Sequence, residues 1–373
     1  MAASYPPTHA AVVTFSKRAP LSILDVPTAP PEPGEVIVKV QWTASSPAEL
    51  HQADGDLING YPFILGCSFA GTIVALGPED PNAVPSQSSL LAVGDRVTGF
   101  ASSQQKQNGF QEYVTVPRNL LGRIPENLSM ESAVTVPVNL VTAFHAITHS
   151  LGLDLPWPLP SNYVPEKADV PILVWGAAGS VGNYAIQLLR LWGYRNVLGV
   201  ARKKHHLDLA RLGCRQLFDY TESSVTEQIS AAAEHIPYIL DCIGHVDGTL
   251  RPLSKIAGAG STLAVVVPII IRHATSDVAP QLSLDPSTIL VSEWVGGVQI
   301  VPIMAFFYEQ NEFLKWHLQP DIIPALLEHG SIRPNRLRIV EGESLLSRAM
   351  QALTLLRDRV PSGERLVWRV SDS

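Results

Sequence analysis

The chain has 373 residues, 46% of them hydrophobic and 16% charged, with a formal net charge of −7. At about 150 residues per domain this gives one large or two medium domains, and the apolar content excludes a disordered, solvating chain. The acidic balance opposes general nucleic-acid binding, and three scattered cysteines (Cys67, Cys214, Cys242) make neither a disulfide framework nor a four-cysteine zinc lobe.

The N-terminal stretch MAASYPPTHAAVVTF has no basic segment followed by an apolar one, so no secretory leader is expected. Short apolar runs then alternate with Gly/Pro turns. Residues 36–40 (VIVKV), 71–76 (GTIVAL) and 113–116 (YVTV) read as strands, and PPEPGE at 30–35 and VGDRV at 93–97 read as the turns between them. Many short strands of this kind predict a barrel-like β domain. Segment 155–169, with four prolines, reads as an irregular connector.

Beyond it the period changes. PILVW (171–175) is a continuous apolar run, as expected of a strand buried on both faces. Residues 183–191 are apolar at helical spacing, and strand-like runs recur at 196–200, 216–218, 238–240 and 261–267. This alternation predicts a parallel sheet with crossover helices. A helix is expected over 345–356, followed by a strand at 365–370 that returns to the first domain. The longest apolar run, 262–271, is broken by Pro268 and stopped by Arg272, short of the roughly 17–25 residues that span a bilayer. A cytoplasmic protein with reduced thiols is expected.

Directly after PILVW stands Gly176-Ala177-Ala178-Gly179-Ser180-Val181-Gly182, and a helix follows. Glycine is required where the chain turns sharply, where backbone approaches a pyrophosphate and where helix packs closely on strand; the helix N–H groups then face the phosphates. Strand, glycine turn and helix together predict a dinucleotide site, the alternative being a tight turn that binds nothing. An NAD-binding sheet places Asp or Glu at the end of its second strand, for the ribose 2′-hydroxyl. Here that position reads Ala201-Arg202-Lys203-Lys204, with no carboxylate before Asp208. Cations at the first turn of a helix oppose its dipole, and a 2′-phosphate would reverse that sign. NADPH is therefore the expected cofactor, with the Tyr220 hydroxyl as a further contact; the alternative is a solvated basic turn.

These motifs identify the chain as similar to the medium-chain dehydrogenase/reductase superfamily. The resemblance runs through GEVIVKV (34–40), YPFILGCSFAGTIVALG (61–77), VGDRVTGF (93–100), GFQEYVTVP (109–117), WGAAGSVGNYAIQLLRLWG (175–193), LFDY (217–220) and PSGERLVWRV (361–370). Within it the chain most resembles the fungal zinc-independent branch that includes trans-acting enoyl reductases of polyketide synthesis, also through VTAFHAITHSLGLDLPWP (141–158). The resemblance implies an α/β protein: a GroES-like β-barrel catalytic domain over 1–165, completed by 334–373, and a Rossmann domain over 166–333. Nicotinamide and substrate would lie between the two.

Zinc-dependent relatives place metal ligands at positions matching Ser46, Gly66-Cys67-Ser68 and Val138. Only Cys67 could bind metal, and a catalytic zinc takes three protein ligands, so no metal is expected. The branch usually has Asp where this chain has Ser68. The turn Ser46-Pro47-Ala48-Glu49-Leu50-His51 corresponds to the segment beside the nicotinamide ribose. His51 is then either a ribose contact and proton relay or a surface histidine. Thr142 matches a residue against the nicotinamide face, with helix capping as the alternative, and Asn139 is a candidate donor to a substrate carbonyl. Gly244, Val266 and Val267 end Rossmann strands, where ligands sit in such sheets. Tyr61, Phe110, Trp294, Phe306 and Phe307 are pocket-wall candidates, with plain core as the alternative. His145 and His149 could share a helix face, but no third ligand accompanies them. The implied activity is NADPH-dependent reduction of activated C=C bonds. Its substrates would be α,β-unsaturated thioesters carried by a polyketide synthase partner. Quinone or enone reduction, or a non-catalytic NADPH-binding role, are the alternatives. Neither membrane nor nucleic acid is an expected partner, and the chain would act as a monomer or homodimer.

Overall fold

The computed structural model describes residues 5–371 apart from 56, 59 and 83. The chain divides into two compact units, one of Met1–Val138, Ala274–Ala279 and Tyr308–Ser373, the other of Asn139–His273 and Pro280–Phe307. The division falls ahead of the proline-rich segment, because that segment is tied into the second unit. There the Trp192 indole N–H donates to the Pro156 carbonyl (2.9 Å) and the Tyr194 hydroxyl to the Asp154 carbonyl (3.1 Å).

The second unit is built on a parallel sheet in the spatial order Gln216–Phe218, Val197–Val200, Ile172–Trp175, Tyr238–Asp241, Thr262–Val266, Gln299–Ile303. Numbered along the chain this is 3-2-1-4-5-6, the order of a Rossmann sheet. Ile172–Trp175 and Val197–Val200 are buried at every position, as strands covered on both faces must be. The helix Ser180–Leu191 buries Tyr184, Ala185, Ile186, Leu188 and Leu189. Gln299–Ile303 lies outside the strands expected from the sequence. It contains Pro302, which cannot donate to a ladder and is tolerated because this strand forms the sheet edge.

In the first unit the long strand Glu35–Ser45 organises the sheet. One part pairs antiparallel with both Ser68–Leu76 and Tyr113–Pro117, and its last residues pair with the tail strand Arg365–Arg369, Leu366 opposite Ser45. Its register shifts beside Ile37 and Gln41, where bulges increase twist and help the sheet curl. The tail strand sits between Glu35–Ser45 and Leu337–Ile339. Trp368, fully buried on it, packs edge-on against Phe110 (centroids 4.6 Å) and donates its indole N–H to Ser45 Oγ (2.9 Å). A second sheet joins Ser22–Pro27, Thr8–Thr14 and Phe63–Ile64. Among the described residues no helix is long and apolar enough to cross a membrane.

Candidate cofactor and catalytic site

The glycine turn opens at the end of Ile172–Trp175. The Gly176 and Ala177 amides both donate to the Val200 carbonyl (3.1 and 3.0 Å), which pins the turn to the neighbouring strand. Gly176 has φ +79°, a conformation that favours glycine. A Cβ on Gly182 would fall 2.5 Å from the Gly176 carbonyl oxygen, so only glycine lets the helix come this close to the strand. Gly179 caps Ser180–Leu191 without a side-chain hydrogen bond, leaving the helix N-terminus to be capped from outside. A close backbone approach and an uncapped positive helix end fit a dinucleotide pyrophosphate.

At the end of Val197–Val200, Arg202, Lys203 and Lys204 are exposed, and the Arg202 guanidinium lies over the Tyr220 ring, 5.8 Å from its centroid. Asp219, from the end of the third strand, reaches this turn. Its Oδ2 accepts from the Lys203 amide (2.8 Å) and its Oδ1 from the Thr221 amide and hydroxyl (2.9 and 2.7 Å). The Thr221 and Lys203 hydrogen bonds hold its carboxyl down to about 2. Reading along the second strand alone missed Asp219, because the residue arrives from the next strand. Its oxygens fasten the turn, and three cationic side chains remain beside it.

The loop after Tyr238–Asp241 adjoins the glycine turn. Ile243 carbons lie 2.7–2.8 Å from where a Gly176 Cβ would stand. Gly244 has φ +65°, and a Cβ there would fall 2.5 Å from the Val266 carbonyl oxygen. Gly244 and Val266 are thus brought together at adjacent strand ends, and Val267 follows directly on Val266. Asp241 was not singled out in the sequence. It is fully buried, accepting from the amides of Ile243 (2.9 Å) and Gly244 (3.1 Å) at Oδ1 and from the Thr249 hydroxyl (2.5 Å) at Oδ2. Burial pushes its pKa up to about 6 against the pull of those donors. A buried carboxyl inside an otherwise apolar strand, ILDCI, is the signal that could have found it.

In the first unit, helix Pro47–Gly55 carries Ala48, Glu49, Leu50 and His51. Glu49 is fully buried; one oxygen accepts from the Ser46 amide and hydroxyl (2.6 and 2.7 Å) and the other from the Cys67 amide (3.0 Å). Glu49 therefore locks the turn to the Cys67 segment. His51 is buried. At the helix's far end Asp54 accepts two hydrogen bonds from Arg357 (2.8 and 3.0 Å). Cys67 is buried, and burial together with Glu49 raises its thiol well above the ordinary range. Ser68 is buried with no hydrogen-bond partner for its hydroxyl among the described residues.

Phe110 reads from the sequence as a pocket wall, but it is fully buried against Trp368 and belongs to the first unit's core. Trp294 packs on the second unit's core and donates its indole N–H to the Ile289 carbonyl (3.0 Å). Tyr61 (39%), Phe306 (52%) and Phe307 (50%) are exposed. Asn139 and Thr142 stand three apart on helix Pro137–His145, Asn139 buried and Thr142 half-buried. His145 and His149 stack (4.8 Å), and burial lowers His145 to about 4.

Among the described residues, no three His, Cys, Asp or Glu side chains come together to hold a metal ion. At the positions matching zinc ligands the chain offers one thiol, a serine already bonded to Glu49 and a valine. That donor set does not fit a catalytic zinc.

Residues 32–126 match the alcohol dehydrogenase GroES-like domain, and residues 180–286 match the zinc-binding dehydrogenase family. An uncharacterised protein of Saccharomyces cerevisiae is 36% identical over 287 residues, 71% of this chain and 72% of the relative. A trans-enoyl reductase of Aspergillus terreus, tazE, is 32% identical over 65% of this chain and 79% of the relative. The solved quinone oxidoreductase of Coxiella burnetii has the same fold, with TM-score 0.69 and 21% identity over 98% of this chain and 100% of that one. A Rossmann sheet with this glycine turn, joined to a GroES-like unit, makes the protein an oxidoreductase of a nicotinamide-binding class. The chain belongs to the medium-chain dehydrogenase/reductase family.

Proposed function

We propose that the protein is an NADPH-dependent enoyl reductase. It reduces the activated C=C bond of α,β-unsaturated acyl thioesters, acting in trans on chains carried by a polyketide synthase, without a metal. The observation that carries the cofactor choice is the Arg202-Lys203-Lys204 turn, exposed where an NAD-binding sheet presents a carboxylate. The substrate class rests on the resemblance to a relative named trans-enoyl reductase.

Gly176, Gly179, Gly182 and the N-terminus of Ser180–Leu191 would hold the pyrophosphate. Arg202, Lys203, Lys204 and the Tyr220 hydroxyl would hold the 2′-phosphate, and Gly244, Val266 and Val267 would meet the nicotinamide end through backbone groups. When bound, the reduced nicotinamide supplies a hydride to the β-carbon. Negative charge then gathers on the thioester carbonyl oxygen, where a preorganised donor lowers the barrier. Asn139 is the donor assigned there, with Thr142 against the nicotinamide face. His51 contacts the ribose or passes the proton for the α-carbon. Tyr61 and Phe306 offer exposed rings to an acyl chain.

The test is NADPH oxidation with 2-enoyl thioesters, enones and quinones in parallel. Turnover of thioesters above the others is expected; preference for quinones or enones would remove the thioester assignment, and no turnover with any acceptor would remove the enzymatic one. Replacing Arg202, Lys203 and Lys204 together with Ala should weaken NADPH far more than NADH, and an equal loss refutes the 2′-phosphate site. His51→Ala should lower turnover with little change in NADPH affinity, and an unchanged rate removes His51 from the mechanism.

A further inference from the structure

Asp241 is a costly residue to keep. A carboxylate taken wholly out of water loses several kcal/mol of solvation unless hydrogen bonds replace it. Here three donors do so, and all three belong to the segment that runs on from the strand end: the amides of Ile243 and Gly244 and the hydroxyl of Thr249. The same Thr249 hydroxyl accepts from the His245 amide (3.1 Å), so the carboxylate fixes the chain from Ile243 to His245. The loop is tied on two further sides, the Cys242 amide donating to the Trp175 carbonyl (3.0 Å) and the Ile270 amide to the Gly244 carbonyl (2.6 Å). What the loop presents is Ile243, 40% exposed, set directly against Gly176.

We infer that Asp241 is a positioning residue for the cofactor: through the Ile243 and Gly244 amides and Thr249 it holds the Cys242–His245 loop beside the glycine turn, in the shape that receives the dinucleotide. The inference rests on the reading of that turn as a dinucleotide site. It assigns the carboxylate to the part of the ligand that NADPH and NADH share, well apart in the sequence from the basic turn. Losing Asp241 should therefore weaken both cofactors alike.

Cofactor affinity, measured by quenching of tryptophan fluorescence with NADPH and with NADH, tests this on the whole chain. Asp241→Asn keeps the shape but replaces one acceptor oxygen with a donor, and Thr249→Val removes the hydroxyl. Each should raise the Kd for NADPH and for NADH by about tenfold, the loss of one charged hydrogen bond. The NADPH/NADH ratio and the KM for the acceptor should stay as in the wild type. Melting curves run alongside separate this from unfolding. If Asp241→Asn does not fold, Thr249→Val decides, since its carboxylate keeps both amide donors. Folded variants with wild-type Kd for both cofactors would overturn the inference and leave Asp241 a structural residue. A changed NADPH/NADH ratio would overturn it too. Wild-type protein that binds neither cofactor would instead sink the dinucleotide reading, and this inference with it.

Discussion

At Gly182 a single added Cβ would collide with the turn on which the helix packs. Gly182→Ala places a methyl 2.5 Å from the Gly176 carbonyl oxygen, and backbone on both sides leaves little room to yield. A cost of about 1–3 kcal/mol in stability is expected, read from the denaturant midpoint, together with loss of NADPH quenching. Asp241 makes a different prediction. Its folded pKa, about 6, lies above the ordinary value of 3.8, so the native state holds the proton more tightly than the unfolded chain. Its contribution to stability is full below 3.8 and is lost as pH rises through 6. Asn cannot ionise, so whatever its exchanged hydrogen bond costs, the stability of Asp241→Asn relative to the wild type, read from melting curves, should rise from pH 4 to pH 8. A gap independent of pH would show that the carboxyl is not protonated in this range. At this scale the glycine turn between strand and helix, and the basic triplet after the next strand, were legible as local patterns of residue types. Asp219 and Asp241 were not, since their partners are backbone amides and threonine hydroxyls that only folding gathers around them. Phe110 read as a pocket wall because nothing in the sequence shows Trp368 closing over it.

At the scale of elements, helix Pro47–Gly55 is held at both ends by buried carboxylates: Glu49 on the Ser46 and Cys67 amides, Asp54 on Arg357. Arg357 ends helix Leu345–Arg357, which starts at a Ser344–Ser347 capping box. Arg357→Ala strands the Asp54 carboxylate. The expected cost is about 2 kcal/mol, below that of a fully buried pair because Arg357 keeps part of its surface in water. Turnover should fall with it, since the helix bears His51. Full turnover at reduced melting temperature would show that the anchor serves stability alone. The strands of the second unit were readable as continuous apolar runs, and Gln216–Phe218 was placed to the residue. Gln299–Ile303 escaped because Pro302 argues against a strand until its place at the sheet edge is known.

At the scale of the whole molecule, the change from alternating short strands to an alternation of strand and helix announced two architectures. Where one stops could not be read, because the prolines of 155–169 mark an irregular path rather than a boundary. The first unit is also discontinuous in sequence, its long central strand paired on one side with residues more than three hundred positions away. That pairing sets an order of assembly. Every strand of the parallel sheet has left the ribosome before Arg365–Arg369 is made, while the segment around Trp42–Ser45 must wait with its ladder half unmet. A chain truncated after residue 330 should resist protease across 172–303 and be cut early near 42–45; protection of both regions would contradict this order. The nascent protein thus carries an exposed β edge for much of its synthesis, and chaperone demand should track that interval rather than total length.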